Sequence, residues 1–140
     1  MLNGENYSQC KKVAETIATS SLVKTAIYGK DANWGRIVCA AGYSGVELEP
    51  TAVQLWIKTP SAGTSRDGSL ANVLHLFQNG TPLELDEVKA SHILDQEDIS
   101  IEMDLGFTNS TTNGTDPISA TVWTCDLSEQ YVVINGSYRS

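Results

Sequence analysis

The feature that most constrains the fold lies between positions 21 and 45, where residues that favour a strand, a turn and a helix follow one another closely. Leu22 to Tyr28 is rich in apolar and β-favouring residues, which predicts a strand. Gly29-Lys30-Asp31 interrupts that run in the way that a polar turn does. Asn33 is a favoured N-cap residue, so the small-residue stretch from Trp34 to Ala41 is predicted to form a helix. The region therefore predicts a strand, a tight turn and a helix that form one unit.

Composition and charge restrict the classes of protein to which the chain can belong. With 140 residues, 41% hydrophobic and 19% charged, we expect residues 1–140 to form a single globular domain. A net charge of −8 argues against nucleic acid as a partner, because there is no basic stripe to neutralise phosphates. No apolar run approaches the ~18 residues of a membrane-spanning helix, so no membrane partner is expected. Three widely spaced cysteines favour a reducing compartment over a disulfide scaffold.

Hydrophobic periodicity predicts further helices and strands along the chain. Apolar positions at helical spacing predict a helix from Tyr7 to Ser20 and a shorter one from Asp86 to Leu94. Alternating or β-rich segments predict strands at Val53–Lys58, Val73–Gln78, Thr81–Leu85, Ile99–Phe107 and Ala120–Leu127. Asn79-Gly80 is a hairpin turn sequence. Thr108 to Pro117 is polar enough for an exposed loop, and Tyr131 to Ile134 forms a last short element.

These elements indicate a mixed α/β or α+β layered domain. We expect two or three helices and five or six strands, which is ordinary for one domain. The sequence contains neither an internal repeat nor a linker that would divide it.

The turn between the first predicted strand and its helix has two interpretations. A helix N-terminus together with Arg36 could hold an anion. Alternatively, Asp31 and Asn33 cap the helix while Arg36 ties a neighbouring loop.

Other reactive side chains lack a recognisable catalytic or metal-binding pattern. His75 and His92 have no ligand-like spacing to each other or to the cysteines, so no metal site is predicted. Nothing local supports a Cys–His nucleophile pair. The acidic cluster at Asp95, Glu97 and Asp98 is spaced like a solvated surface rather than a catalytic carboxylate pair.

Three separated blocks of sequence carry a resemblance to a known family. They are Leu22-Val23-Lys24-Thr25-Ala26 with Gly29, Asp31 and Asn33-Trp34-Gly35-Arg36; Trp123-Thr124-Cys125-Asp126-Leu127; and Tyr131-Val132-Val133-Ile134-Asn135 with Tyr138-Arg139-Ser140. In these blocks and their order the chain resembles the ornithine acetyltransferase family, the glutamate N-acetyltransferases of arginine biosynthesis. The resemblance implies a layered α/β/β/α sandwich, of which this chain is the C-terminal portion of the second (beta) chain.

The resemblance also implies an activity. Members of this family cleave themselves before a threonine, which then carries acetyl from N-acetylornithine to glutamate, and some members also use acetyl-CoA. No segment of the present chain matches that threonine or the cleavage motif, so we assign it no catalytic residue and expect it to be inactive alone. Asn135 and Ser140 fall on family positions that contact the amino-acid substrate. No cofactor is implied, and the expected partners are the alpha chain and the rest of the beta chain in a heterotetramer.

Two other interpretations and one question of location remain. The chain could be a piece of a related N-terminal-nucleophile aminopeptidase, or a non-catalytic assembly module that keeps the fold. Fungal members of the family work in the mitochondrial matrix and bacterial members in the cytoplasm. The long segment from Ser61 to Leu105 is more similar to the fungal pattern, which favours the mitochondrial matrix.

Overall fold

The structure is a computed structural model that describes residue 1, residues 3–107 and residues 118–138. The α-helices in these ranges are α1 (Tyr7–Thr19), α2 (Ser21–Tyr28), α3 (Trp34–Gly42), α4 (Glu87–Leu94) and α5 (Glu129–Gly136). The strands are β1 (Gln54–Lys58), β2 (Val73–Gln78), β3 (Thr81–Pro82) and β4 (Ser100–Asp104). Among the helices of these ranges, none has the length and hydropathy to cross a bilayer.

The four strands form one antiparallel sheet in the order β3-β2-β1-β4. Central strand β1 pairs Ile57 with Leu74 of β2 and with Ile101 of β4. The register of β1 and β2 shifts next to Leu55, as a β-bulge does. Because side chains alternate along a strand, Leu55 and Ile57 lie on one face of the sheet and Trp56 on the other.

The core lies between the first face of the sheet and a layer of helices. One hydrophobic cluster joins buried residues of α1, α2, α3 and α4 to the sheet, including Val13, Ile17, Val23, Ile37, Ile93, Leu55, Ile57, Leu76 and Met103. Trp34 at the start of α3 also stacks on Phe77 of β2, with 5.4 Å between ring centroids. The helix layer thus stabilises the sheet by burying its apolar face.

The second face of the sheet carries a buried aromatic and ionic network. Trp56 stacks on His75, with 4.6 Å between ring centroids, and the guanidinium of Arg66 lies 4.7 Å from the centroid of the Trp56 ring. Glu102 accepts hydrogen bonds from Lys58 Nζ at 2.7 Å and Arg66 Nε at 2.5 Å. Lys58 and Trp56 are both buried. Charged side chains therefore cover part of this face.

The structure confirms most predicted elements, but the first predicted strand is wrong. Residues 21–28 form helix α2, which Ser20 caps by accepting a hydrogen bond from Val23 N. Val23 and Ala26, three residues apart, are its buried residues, so the segment meets the core at helical spacing. Strand propensity is weak and depends on context, and contacts with α1 and α3 prevail over it.

The C-terminal part of the chain also differs from prediction. Residues 120–127 have no regular secondary structure, so the strand predicted there is absent. The short element at Tyr131–Ile134 belongs to helix α5. The described ranges accordingly hold five α-helices, two short 3-10 helices (Pro50–Ala52 and Pro60–Ala62) and four strands. The loop predicted at Thr108–Pro117 lies outside the described residues.

Candidate functional site

A groove of about 1160 Å³ runs between the helix layer, residues 94–102 around the start of β4, and segment 119–126. One wall is formed by the C-terminal half of α1 and by α2, through residues such as Ile17, Val23 and Ile27. The opposite wall contains residues 94–102, which lead into and form part of β4. Such a concavity with mixed apolar and polar walls is the default place for a ligand or a binding segment.

Three sets of hydrogen bonds hold the C-terminal segment in place along the groove. Thr124 Oγ1 donates to the carbonyl of Ala18 at 2.9 Å, at the C-terminal end of α1. Leu127 N donates to the carbonyl of Lys24 at 3.3 Å. Met1 and Ala120 exchange two hydrogen bonds, at 2.9 and 3.0 Å. The segment is therefore anchored at both ends while its middle faces the open groove.

The charged groups along the groove are mostly acidic. The lining includes two lysines, Lys24 and Lys30, and five carboxylates, which belong to Asp95, Glu97, Asp98, Glu102 and Asp126. Lys30 is paired with Asp95, and Glu102 is held by Lys58 and Arg66. This balance of charge favours a ligand that carries an ammonium group. The acidic cluster that the sequence assigned to a solvated surface therefore also forms one wall of a groove.

Of the two predicted substrate-binding residues, the structure describes Asn135. Asn135 is exposed on α5, and its Nδ2 donates to the carbonyl of Tyr131 at 2.8 Å, one turn earlier. This bond uses the amide nitrogen within the helix, whereas the side-chain oxygen has no partner among the described residues. Ser140 lies outside the described residues. The roles of Asn135 and Ser140 remain predictions.

The turn before α3 has the capping structure that was one of its two predicted interpretations. Asn33 Oδ1 accepts from Arg36 N at 3.0 Å, which confirms Asn33 as the N-cap. Asn33 Nδ2 donates to Asp31 at 2.9 Å, and Arg36 Nη1 donates to the carbonyl of Leu22 at 3.0 Å. These polar groups connect α2 to α3 and bring Lys30 to the groove.

Among the described residues, no hydrogen bond joins a histidine side chain to a cysteine side chain, and the thiol of Cys10 faces the carbonyl of Ile118 at 3.6 Å. His75 stacks on Trp56, and burial lowers the pKa of its imidazole, with a backbone hydrogen bond to Phe77 opposing that effect. Cys10 is buried, whereas Cys39 and Cys125 are exposed. Within the described ranges no group of three His, Cys, Asp or Glu side chains is placed to hold a metal ion.

Comparison with known proteins gives close relatives over nearly the whole chain. The chain is 52% identical to the mitochondrial arginine biosynthesis bifunctional protein ArgJ of Yarrowia lipolytica, over 94% of this chain and 27% of that protein. It is 49% identical to the protein of the same name from Candida albicans, over 96% of this chain and 28% of that protein. The chain thus spans a little over a quarter of the length of these relatives.

The same family is found by its sequence model and by a solved structure. The crystal structure of the arginine biosynthesis bifunctional protein ArgJ from Bacillus halodurans matches with a TM-score of 0.74 and 34% identity. That match covers 98% of this chain and 55% of the other, and it supports the predicted α/β fold class. The model of the ArgJ family matches residues 1–140. The chain therefore belongs to the ArgJ family.

Proposed function

We propose that this chain is the C-terminal portion of the second chain of a glutamate N-acetyltransferase that moves acetyl from N-acetylornithine to glutamate. The observation that carries this proposal is the match to ArgJ proteins along the whole chain, at about half identity with fungal relatives. Those relatives are named bifunctional proteins of arginine biosynthesis. The residues of this chain bind and orient substrate, and other polypeptide supplies the attacking group.

In this proposal the present chain contributes to substrate binding, and the rest of the enzyme supplies the groups that transfer acetyl. Acetyl transfer through an acetyl-threonine needs an activated hydroxyl and donors for the tetrahedral oxyanion. Neither is assigned to this chain. It offers the acidic groove, whose carboxylates suit the side-chain ammonium of N-acetylornithine. Asn135 offers an amide that can donate to a substrate carboxylate or accept from an ammonium group.

A chimeric enzyme tests the proposal. The matched segment of the Yarrowia lipolytica protein is replaced by these 140 residues, and acetyl transfer from N-acetylornithine to glutamate is measured. We expect the chimera to turn over and the 140-residue chain alone to show no transfer. A chimera that folds and assembles but has no activity would favour a non-catalytic assembly module instead.

The predicted substrate contact has a matched control within the same helix. Asn135→Ala should lower kcat/KM of the chimera for N-acetylornithine by about 10- to 100-fold, the effect of losing one hydrogen bond to a charged partner. Gln130 is also an exposed amide on α5, and Gln130→Ala should leave the rate within about twofold. If the two substitutions have equal effects on kcat/KM, Asn135 does not bind the substrate.

Assembly and location belong to the same proposal. We expect the active species to be a heterotetramer that contains the alpha chain and the remainder of the beta chain, and acetyl-CoA to be a second acetyl donor at most. The fungal relatives are named mitochondrial, which supports the matrix as the site of action. Size-exclusion chromatography of the chimera with light scattering measures the assembly, and fractionation of source cells measures the location.

A further inference from the structure

Asparagine followed by glycine occurs three times in the chain, at positions 79–80, 113–114 and 135–136. Such a pair can react with itself, because glycine has no side chain to keep the asparagine side chain away from the next backbone nitrogen. The pair at 113–114 lies outside the described residues. The two described pairs differ in the hydrogen bonds that hold them, so they are expected to react at different rates.

The first pair forms the two-residue turn of the β2–β3 hairpin. Gln78 pairs with Thr81, and Asn79 and Gly80 between them have φ angles of +50° and +80°. Both turn residues are exposed. The N–H of Gly80 donates to no backbone carbonyl of a described residue. The nitrogen that follows Asn79 can therefore react without the loss of a backbone hydrogen bond.

The second described pair lies at the end of helix α5. A residue within an α-helix donates its N–H to the carbonyl four positions earlier, so the N–H of Gly136 is bonded to Val132. The side chain of Asn135 is also held, since its Nδ2 donates to the carbonyl of Tyr131 at 2.8 Å. A reaction between this side chain and the next nitrogen would first have to break both hydrogen bonds.

The reaction that such a pair can undergo is a deamidation. The glycine nitrogen loses its proton to water or hydroxide and attacks Cγ of the asparagine, so that a new N–Cγ bond forms. The Cγ–Nδ2 bond breaks, ammonia leaves, and a five-membered cyclic imide remains. Water then opens the imide, and attack at Cγ gives aspartate whereas attack at the backbone carbonyl carbon gives isoaspartate. In sum, asparagine and water give a carboxylate and an ammonium ion.

We propose that Asn79-Gly80 is a site of spontaneous deamidation in the folded chain, with water as the second reactant, and that α5 protects Asn135-Gly136 from the same reaction. The local sequences, Asn-Gly-Thr and Asn-Gly-Ser, are closely similar, so the fold sets the difference in rate. Because two hydrogen bonds must break at Asn135, its reaction is expected to be slower by about tenfold or more. This inference does not depend on the proposed function.

The two products of the reaction have different effects on the hairpin. Aspartate at position 79 keeps the backbone and adds one negative charge to a chain whose net charge is −8. Isoaspartate adds one atom to the backbone of a two-residue turn, and the length of that turn fixes the register of the strands. Leu83 N, which donates to the carbonyl of Leu76 at 2.9 Å, lies just beyond β3. The isoaspartyl chain should therefore lose pairing between β2 and the residues that follow the turn.

Peptide mapping of the aged protein tests the proposal. The 140-residue chain is incubated at mildly alkaline pH, in native buffer and in denaturing urea, and mass spectrometry follows the change from NH2 to OH at each asparagine. In native buffer we expect Asn79 to react at least about tenfold faster than Asn135, whereas in urea the two rates should agree within about threefold. Equal rates in native buffer, a faster reaction at Asn135, or no detectable reaction at Asn79 would overturn the proposal.

Two variants of α5 test whether the helix is the cause of the protection. No residue of α5 is buried, so the helix can be disrupted while the core is kept. Val133→Pro breaks this eight-residue helix and should raise the rate at Asn135 to within about threefold of that at Asn79, whose own rate should not change. Val133→Ala keeps the helix and should leave both rates unchanged. An unchanged rate at Asn135 in Val133→Pro would refute protection by α5.

Hydrogen exchange measures the effect on the hairpin. Ion-exchange chromatography separates the deamidated chains from the parent by their added charge, and Asn79→Asp supplies the same charge on an unaltered backbone. We expect the amide of Leu83 to exchange about tenfold faster or more in the isoaspartyl chain, and at the parent rate in Asn79→Asp. Equal exchange in the isoaspartyl chain and in Asn79→Asp would contradict the change of register. Because these measurements do not involve acetyl transfer, an inactive chimera would bear on the proposed function alone.

Discussion

The buried ionic network on the second face of the sheet makes a quantitative prediction about Glu102→Gln. Glu102 is bonded to Lys58 and Arg66, and the side chains of Lys58 and Glu102 are 3% and 16% exposed. The substitution removes the negative charge and leaves the Lys58 ammonium with only neutral partners, the amide and the Ser65 carbonyl at 3.2 Å. Breaking a buried pair in this way costs about 3–5 kcal/mol.

The lower end of that range is expected here because part of the network survives. Arg66 is about a third exposed and keeps its 3.0 Å bond to Asp104. We therefore expect Glu102→Gln to lower the free energy of unfolding by about 3 kcal/mol, and the melting temperature by ~10 °C at ~2–4 °C per kcal/mol. Urea unfolding followed by circular dichroism measures the first quantity and a thermal scan the second.

Two further variants decide whether burial is the cause. Glu15→Gln removes the 3.7 Å pair with Lys11, in which both side chains are about half exposed, and should change stability by less than about 0.5 kcal/mol. The double variant Lys58→Met/Glu102→Leu removes both charges and should return to within about 1 kcal/mol of the parent chain. The reasoning is refuted if Glu102→Gln is as mild as Glu15→Gln, or if the double variant is the least stable.

Three other outcomes follow from single positions. Burial holds the pKa of the Met1 amine below its ordinary value, so the unfolded chain binds this proton more tightly than the folded chain does. The free energy of unfolding should therefore fall as the pH drops below about 8. Nα-acetylation should remove this part of the pH dependence, and urea midpoints from about pH 6 to 9 measure it. Gly106 has φ +76°, and a Cβ added there would lie 2.8 Å from the carbonyl oxygen of Ala52. Gly106→Ala should therefore lower the free energy of unfolding by about 2 kcal/mol or more. Gly42→Ala is the control and should not lower it, because the space around Gly42 is open. Asn33→Ala removes the cap of α3 and should cost about 1 kcal/mol in the same unfolding assay, and no loss would mean that the cap is replaced by water.

Local patterns in the sequence predicted the elements whose stabilising contacts are themselves local. Helix α1 begins at Tyr7 as predicted, because its N-cap and its buried positions lie within one short segment. The Asn79-Gly80 turn has φ angles of +50° and +80°, which is the backbone that this dipeptide favours, so the β2–β3 hairpin could also be anticipated. The family could be identified because three separated blocks retain its order.

The candidate site was harder to predict, since its walls come from distant parts of the chain. Asp95 and Asp126 line the same groove although 31 positions separate them in the sequence. Neither spacing nor composition indicates such a meeting. The stacking of His75, Trp56 and Arg66 likewise depends on the pairing of β1 with β2.

The sequence by itself determined where α1 and α3 begin, where the β2–β3 hairpin turns, and to which family the chain belongs, because caps, turns and motifs act over a few residues. Only the tertiary structure decided that residues 21–28 are helical and that residues 120–127 lack a ladder. A helix satisfies its backbone hydrogen bonds within its own segment, whereas a strand requires a neighbour. The same β-favouring composition therefore gives a helix where the core accepts residues at helical spacing, and an irregular segment where no strand among the described residues pairs with it.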